Sequence, residues 1–196
     1  MAAGNLERFE GQHSGYERLS EPATHRRAIV RAGDNIWLVV DDLLGSGSHE
    51  IACQWLLAAG EHVIDEQSQR LRLSLDACDL QLYWKTLGIK EQKVDLSCGD
   101  ESKAPRGWRS RYYGTREPAL SFQVAGRGEM PCRIVSTFVL GDQQARVSLD
   151  DEKVTVRSSD NTELSVILFS LASSSRLSVK EVKLTQDERV EMLSAT

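Results

Sequence analysis

The sequence predicts an all-β fold, an antiparallel sandwich of about nine or more strands, and three observations point there. Apolar residues recur at every second position from residue 28 onward, turn residues separate these runs at regular spacing, and no long segment carries a sustained helical period. Residues 1–27 are polar and without sustained period, so they read as an irregular lead-in to a β-sandwich domain over 28–196.

Each strand follows from its own pattern. Ile36-Trp37-Leu38-Val39-Val40 is a β-branched and aromatic run between Gly33-Asp34-Asn35 and Gly45-Ser46-Gly47, which mark turns on both sides. In His49 to Trp55, Ile51, Cys53 and Trp55 share one face, and leucine takes every second position from Leu71 to Leu75. Such alternation places one face in a core and the other in water. Leu80 to Trp84 continues the series, followed by Ala119 to Val124, Cys132 to Leu140, Ala145 to Leu149, Lys153 to Arg157, Glu163 to Ser170 and Leu177 to Leu184. Gln186 to Leu193 can close the chain as a short helical turn. Cys98 to Pro118 gathers Gly99, Pro105, Gly107, Gly114 and Pro118 into a long loop, and Trp108, Tyr112 and Tyr113 argue that it is ordered.

Composition narrows the function. A chain of 196 residues can build one core, and 40% hydrophobic with 27% charged residues is ordinary globular usage. The net charge of −5 is scattered without a basic stripe, which speaks against a nucleic-acid partner. Cys53, Cys78, Cys98 and Cys132 form no CxxC pair, so free and mostly buried thiols are expected rather than a zinc site or disulfides. No apolar run is long enough for a leader or a transmembrane segment.

Three segments, in order, resemble the heparinase II/III-like family of polysaccharide lyases. Gly15-Tyr16-Glu17-Arg18-Leu19 with Pro22-Ala23-Thr24-His25-Arg26-Arg27 is similar to the family's GYxRL and PVxHRR segments. Trp37 to Leu43 with Gly45, Gly47 and His49 resembles WxVVDDLxGxGxH, and Gly107 to Gly114 with Pro118 resembles GWxSxxYGxxxPA. The resemblance implies a carboxy-terminal β-sandwich that joins an amino-terminal α/α toroid across a cleft for acidic polysaccharide, cleavage by β-elimination, and a periplasmic or secreted parent. The family's HADxxSFEL and HNTV segments have no counterpart here, so this chain by itself is expected to be catalytically incomplete, with no cofactor and no metal.

Elimination from a uronic acid needs its carboxylate neutralised, a base at the C5 proton and an acid at the leaving oxygen. His25 is of the right type for proton transfer, and Tyr16, Arg26 and Arg27 are suited to substrate binding. Both readings stay open for them, since His25-Arg26-Arg27 can equally open a strand and pair with acids. Asp41 and Asp42, before Gly45-Ser46-Gly47, read as turn formers. Trp108, Arg109, Arg111, Tyr112 and Tyr113 form the most basic local segment together with Arg106 and Arg116, either as a stacking and ionic platform for sugars or as a plug on one end of the sandwich.

Overall fold

The structure, a computed structural model, describes residues 6–102, 105–142, 144–173, 175–186 and 189–195. Among these the chain forms β1 (Leu6–Tyr16), β2 (Ala23–Ala32), β3 (Ile36–Gly45), β4 (Ser48–Leu57), β5 (Glu61–Asp65), β6 (Arg70–Ser74) and β7 (Asp79–Cys98). There follow β8 (Trp108–Arg109), β9 (Glu117–Pro118), β10 (Leu120–Leu140), β11 (Arg146–Leu149), β12 (Lys153–Arg157), β13 (Glu163–Leu168), β14 (Val179–Gln186) and β15 (Arg189–Ser194). Every pairing between them is antiparallel, and the architecture is all-β, as the alternation predicts.

The main sheet runs β1-β2-β3-β10-β7-β6-β5, with β4 added on β10. The second sheet runs β11 to β15 in sequence order, and β8 and β9 form a small hairpin of their own. β7 and β10 hold the main sheet together because each is long enough to pair twice. Leu80 to Leu87 meet the second half of β10, while Ile89 to Cys98 meet its first half. That first half also carries β4, and the second half carries β3.

Between the halves the register breaks from Gly128 to Arg133, and the first half folds back as a flap over the main sheet. Aromatic contacts show the closure: Trp84 meets Phe122 and Trp55 meets Phe138, each pair of rings 5.0 Å apart. The bend needs glycine, since a Cβ on Gly128 would lie 2.5 Å from Cys132 Sγ and 2.7 Å from Ile51 Cδ1.

Three β layers result, and the two-residue period assigns side chains to the two interfaces between them. Ile36, Leu38 and Val40 of β3, with Val135 and Val139 of β10, face Val154, Val156, Leu164, Val166 and Val182 of the second sheet. The opposite face of β10 gives Ile134 and Phe138 to the cores under the flap, with Phe122, Val124, Ile51 and Cys53. The central layer is therefore buried on both sides, which explains why β10 is almost continuously buried from Cys132 to Val139.

Several expectations are corrected. The lead-in is not irregular: Leu6–Tyr16 and Ala23–Ala32 are strands, held as the outer pair of the main sheet. β1 lacked an alternation signal because it is an edge strand whose residues after Gly11 are exposed. The last segment is a strand rather than a helical turn, since Arg189–Ser194 finds the open edge of β14. Lys85 to Cys98, polar enough to escape notice, continues β7 into the flap. Asp41 and Asp42 are buried in mid-strand on β3, not in a turn. The four cysteines are free; Cys53 and Cys132 are buried, but Cys98 is exposed.

A candidate glycan cleft under the flap

β2 and β3 pair so that Arg27 lies opposite Asp41 and Arg26 opposite Asp42. Neighbouring residues on a strand point to opposite faces, so the pleat separates these two charge pairs onto the two sides of the central layer. On the flap side, the sheet and β4 leave a cleft of about 280 Å³ whose lining includes Tyr16, His25, Arg27, Asp41, His49 and Glu50. Three of the expected site residues, Tyr16, His25 and Arg27, thus come together.

Within the cleft, Arg27 grips Asp41 with two bonds, Nε to Oδ1 at 2.6 Å and Nη2 to Oδ2 at 3.0 Å. The hydrogen bond to Asp41 raises the guanidinium above its ordinary pKa. The same carboxylate takes His25 Nε2 at 2.6 Å, and His25 Nδ1 lies 3.1 Å from His13 Nε2. Tyr16 stands beside His13 with ring centroids 5.3 Å apart, and Trp55 of the flap lies under the Arg27 guanidinium at 5.3 Å. Burial, aided by the charge of Asp41, pushes the neighbouring Cys53 thiol up to about 11. With neutral imidazoles, the lining balances Arg27 against Asp41 and Glu50. The cleft offers hydroxyl, imidazole and guanidinium groups to a polar ligand, while both nitrogens of His25 already have partners.

Arg26 sits on the other face. It is 4% exposed and reaches Asp42 Oδ2 at 2.7 Å, while Arg133 grips the same carboxylate with Nε at 2.6 Å and Nη2 at 3.0 Å. Arg26 and Arg133 also donate to the carbonyl oxygens of Ser175 and Phe169. Burial alone would push the Asp42 carboxyl up, but the two guanidinium groups outweigh it and hold the carboxyl below its usual range. This cluster clamps the central layer to the second sheet and does not line the cleft.

The remaining candidates lie on the hairpin before β10, beyond the Leu120 end of the flap. In the β10–β4 ladder the cleft-lining residues Gln54 and His49 pair with Gln123 and Gly128, so the lining runs from roughly 10 Å to roughly 26 Å from Leu120 along the strand. There Arg109 and Arg111 both bond Glu117 at 2.6 Å, Arg106 bonds Asp95 at 2.6 Å, and Arg116 bonds Glu101 at 2.9 Å. Trp108 is half-buried under the Arg116 guanidinium and donates its Nε1–H to Asp100 O at 2.8 Å. Tyr112 and Tyr113 project freely into solvent. Trp108 therefore covers the base of the hairpin, and only the two tyrosines offer open faces.

Sequence reasoning missed His13 and the role of Asp41. The signal for Asp41 was its strand position opposite Arg27. His13 lies in β1 directly across from His25, a pairing that becomes visible only once that segment is recognised as a strand. Among the described residues no group of three or more His, Cys, Asp or Glu side chains is arranged to hold a metal ion, and no helix is long and apolar enough to cross a membrane.

Comparison with known proteins places the chain. The family model described as heparinase II/III-like, C-terminal, matches residues 2–137, which include the flap and every residue of the cleft. The chain belongs to the heparinase II/III-like family and corresponds to its C-terminal region. Among solved structures, a heparinase III is similar over 83% of this chain and 26% of its own, with a TM-score of 0.63 and 13% identity. The heparan sulfate lyase HepC from Pedobacter heparinus is similar over 100% of this chain and 26% of its own, with a TM-score of 0.61 and 14% identity. This chain thus spans about a quarter of the length of those lyases, and at that identity the likeness is one of fold. A comparison with curated proteins returned no match.

Proposed function

We propose that this chain is the β-domain of a lyase that cleaves a uronic-acid-containing polysaccharide by β-elimination, and that the cleft under the flap holds part of that glycan. The observation that carries this reading is the convergence of Tyr16, His25 and Arg27, from one sequence motif, on a single cleft. Membership of a polysaccharide-lyase family supports it. Arg27 supplies positive charge toward a uronate, Tyr16 and His49 supply hydrogen-bonding groups for sugar hydroxyls, and the tip tyrosines Tyr112 and Tyr113 offer stacking faces further along a long chain. The proton-transfer groups come from an α/α-toroid domain outside these residues, in a periplasmic or secreted parent.

A non-catalytic carbohydrate-binding module is the second reading, and one observation favours it: both nitrogens of His25 are engaged, so that ring presents no free base. The two readings share the binding step and part at turnover.

Binding is tested with oligosaccharides of heparin, heparan sulfate and alginate against the chain and its Arg27→Gln variant. The wild type should bind with an affinity that falls as salt rises, and the variant should bind about tenfold more weakly through loss of a charge-assisted contact. Equal affinity in the variant, or equal affinity for an uncharged glycan, contradicts the reading.

A further inference from the structure

The face of the central layer that carries the cleft continues along β1 and β2. Cross-strand partners share a face, and His13 lies opposite His25, Gly11 opposite Arg27 and Phe9 opposite Ile29. Phe9 is 64% exposed, and its ring leans over Gly11: a Cβ on that glycine would lie 3.2 Å from Phe9 Cζ. The ring therefore covers the backbone position directly across from Arg27, with its outer surface in water. The strand beneath it is pinned from the opposite face. Arg8 donates to Val179 O at 2.7 Å, and Glu10 accepts from the backbone N–H of Ser178 at 2.7 Å and of Val179 at 3.1 Å. An aromatic plane is thus held in place at the side of a charged cleft.

We propose that Phe9 is a sugar-stacking residue, and that its ring forms a subsite for the pyranose next to the uronate held by Arg27. The inference rests on the cleft being the glycan site proposed above. A pyranose carries C–H groups on its faces and hydroxyls on its rim, so it is matched by an apolar plane with polar groups beside it. Phe9 supplies the plane, and Arg27, across from Gly11 on the next strand, supplies the polar neighbour about 5 Å away between backbones. Half-buried Ile29, about 7 Å further along β2 from Arg27, gives the subsite an apolar floor. The tryptophans on this face are engaged already. Arg27 lies over Trp55 at 5.3 Å, and Arg31 lies over Trp37 at 5.3 Å. Arg31 is itself tied to Glu7 and Asp34, which closes the track one rung beyond Phe9. Phe9 and Tyr16, both exposed, then bracket the Arg27 and His25 positions along β1.

Salt separates stacking from ion pairing. Tetrasaccharides of heparan sulfate and of alginate are titrated calorimetrically into the chain and its Phe9→Leu, Phe9→Tyr and Arg27→Gln variants. Phe9→Leu keeps apolar bulk but loses the plane, and it should weaken binding about fivefold at low and high salt alike, since apolar burial is not screened. Phe9→Tyr should bind like the wild type, and the effect of Arg27→Gln should shrink as salt rises. In NMR of the wild-type complex, sugar C–H protons should move upfield over the Phe9 ring, and the Phe9→Leu complex should lack that shift. A Phe9→Leu variant with wild-type affinity and a lower melting point shows that the ring only shields the edge glycine Gly11, which overturns the inference and leaves the cleft reading standing. Binding weakened by Phe9→Leu but not by Arg27→Gln supports the stacking role and overturns the contact assigned to Arg27. A wild-type chain that binds neither tetrasaccharide overturns both.

Discussion

Asp42 is a single carboxylate shared by two buried guanidinium groups, which makes it the residue with the largest predicted effect on stability. Asp42→Ala leaves Arg26 and Arg133 buried without their counter-charge and should cost about 3–5 kcal/mol in urea unfolding. A loss under about 1 kcal/mol would show that the carbonyl oxygens of Ser175 and Phe169 suffice. The carboxyl titrates below its usual range in the folded chain, so the unfolded chain binds the proton more readily. The stability from this group is then fully present above about pH 4, the ordinary aspartate value, and is lost as pH falls through the lower folded value. Melting points measured from pH 5 downward should fall in the wild type. Cysteine accessibility gives an independent check: at pH 8 Cys98 should alkylate quickly, while Cys53, buried and pushed up to about 11, should react only on unfolding. At this scale the sequence showed the residue types but not their separation. Arg26 and Arg27, like Asp41 and Asp42, look like pairs in the chain, and only a strand assignment reveals that each pair is divided between two faces.

Among the elements, the hairpin of β8 and β9 distinguishes brace from backbone. Glu117 accepts from Arg109 and Arg111 at the solvent-screened surface, so Glu117→Gln should leave the melting point close to that of the wild type. Gly107 is different. Its φ is +76°, and a Cβ there would lie 2.5 Å from Ser97 O and 2.8 Å from Ala119 O. Gly107→Ala should therefore destabilise by about 2 kcal/mol or more, read as a lower melting point. A melting point within a degree or two of wild type would mean the turn relaxes freely. Strands with one buried face, such as β4 and β6, were legible from alternation. β1 was not, because an edge strand has little buried surface to pattern it. The second half of β7 was hidden because only scattered residues such as Val94 and Leu96 turn inward.

For the whole molecule, the sequence displayed strands but not the fold-back of β7 and β10, since bending follows from glycine placement and long-range pairing rather than local period. That fold-back creates the cleft, which is why Tyr16, His25 and Arg27 could be nominated from sequence while their meeting place could not. The same geometry puts Trp108, Arg109, Arg111, Tyr112 and Tyr113 on the hairpin beyond the Leu120 end of the flap, so a glycan touching both places would run along the flap. Under the proposed reading this chain alone should release no unsaturated uronate, measured by product absorbance on heparin, heparan sulfate and alginate, above a heat-killed control. The most direct test of the glycan cleft is NMR titration of the chain with a uronate oligosaccharide beside a neutral one of equal length. Shifts concentrated at Gly15, Tyr16, His25 and Arg27, and produced by the uronate alone, are the predicted result. Shifts confined to the β8–β9 hairpin, or produced equally by the neutral sugar, contradict it.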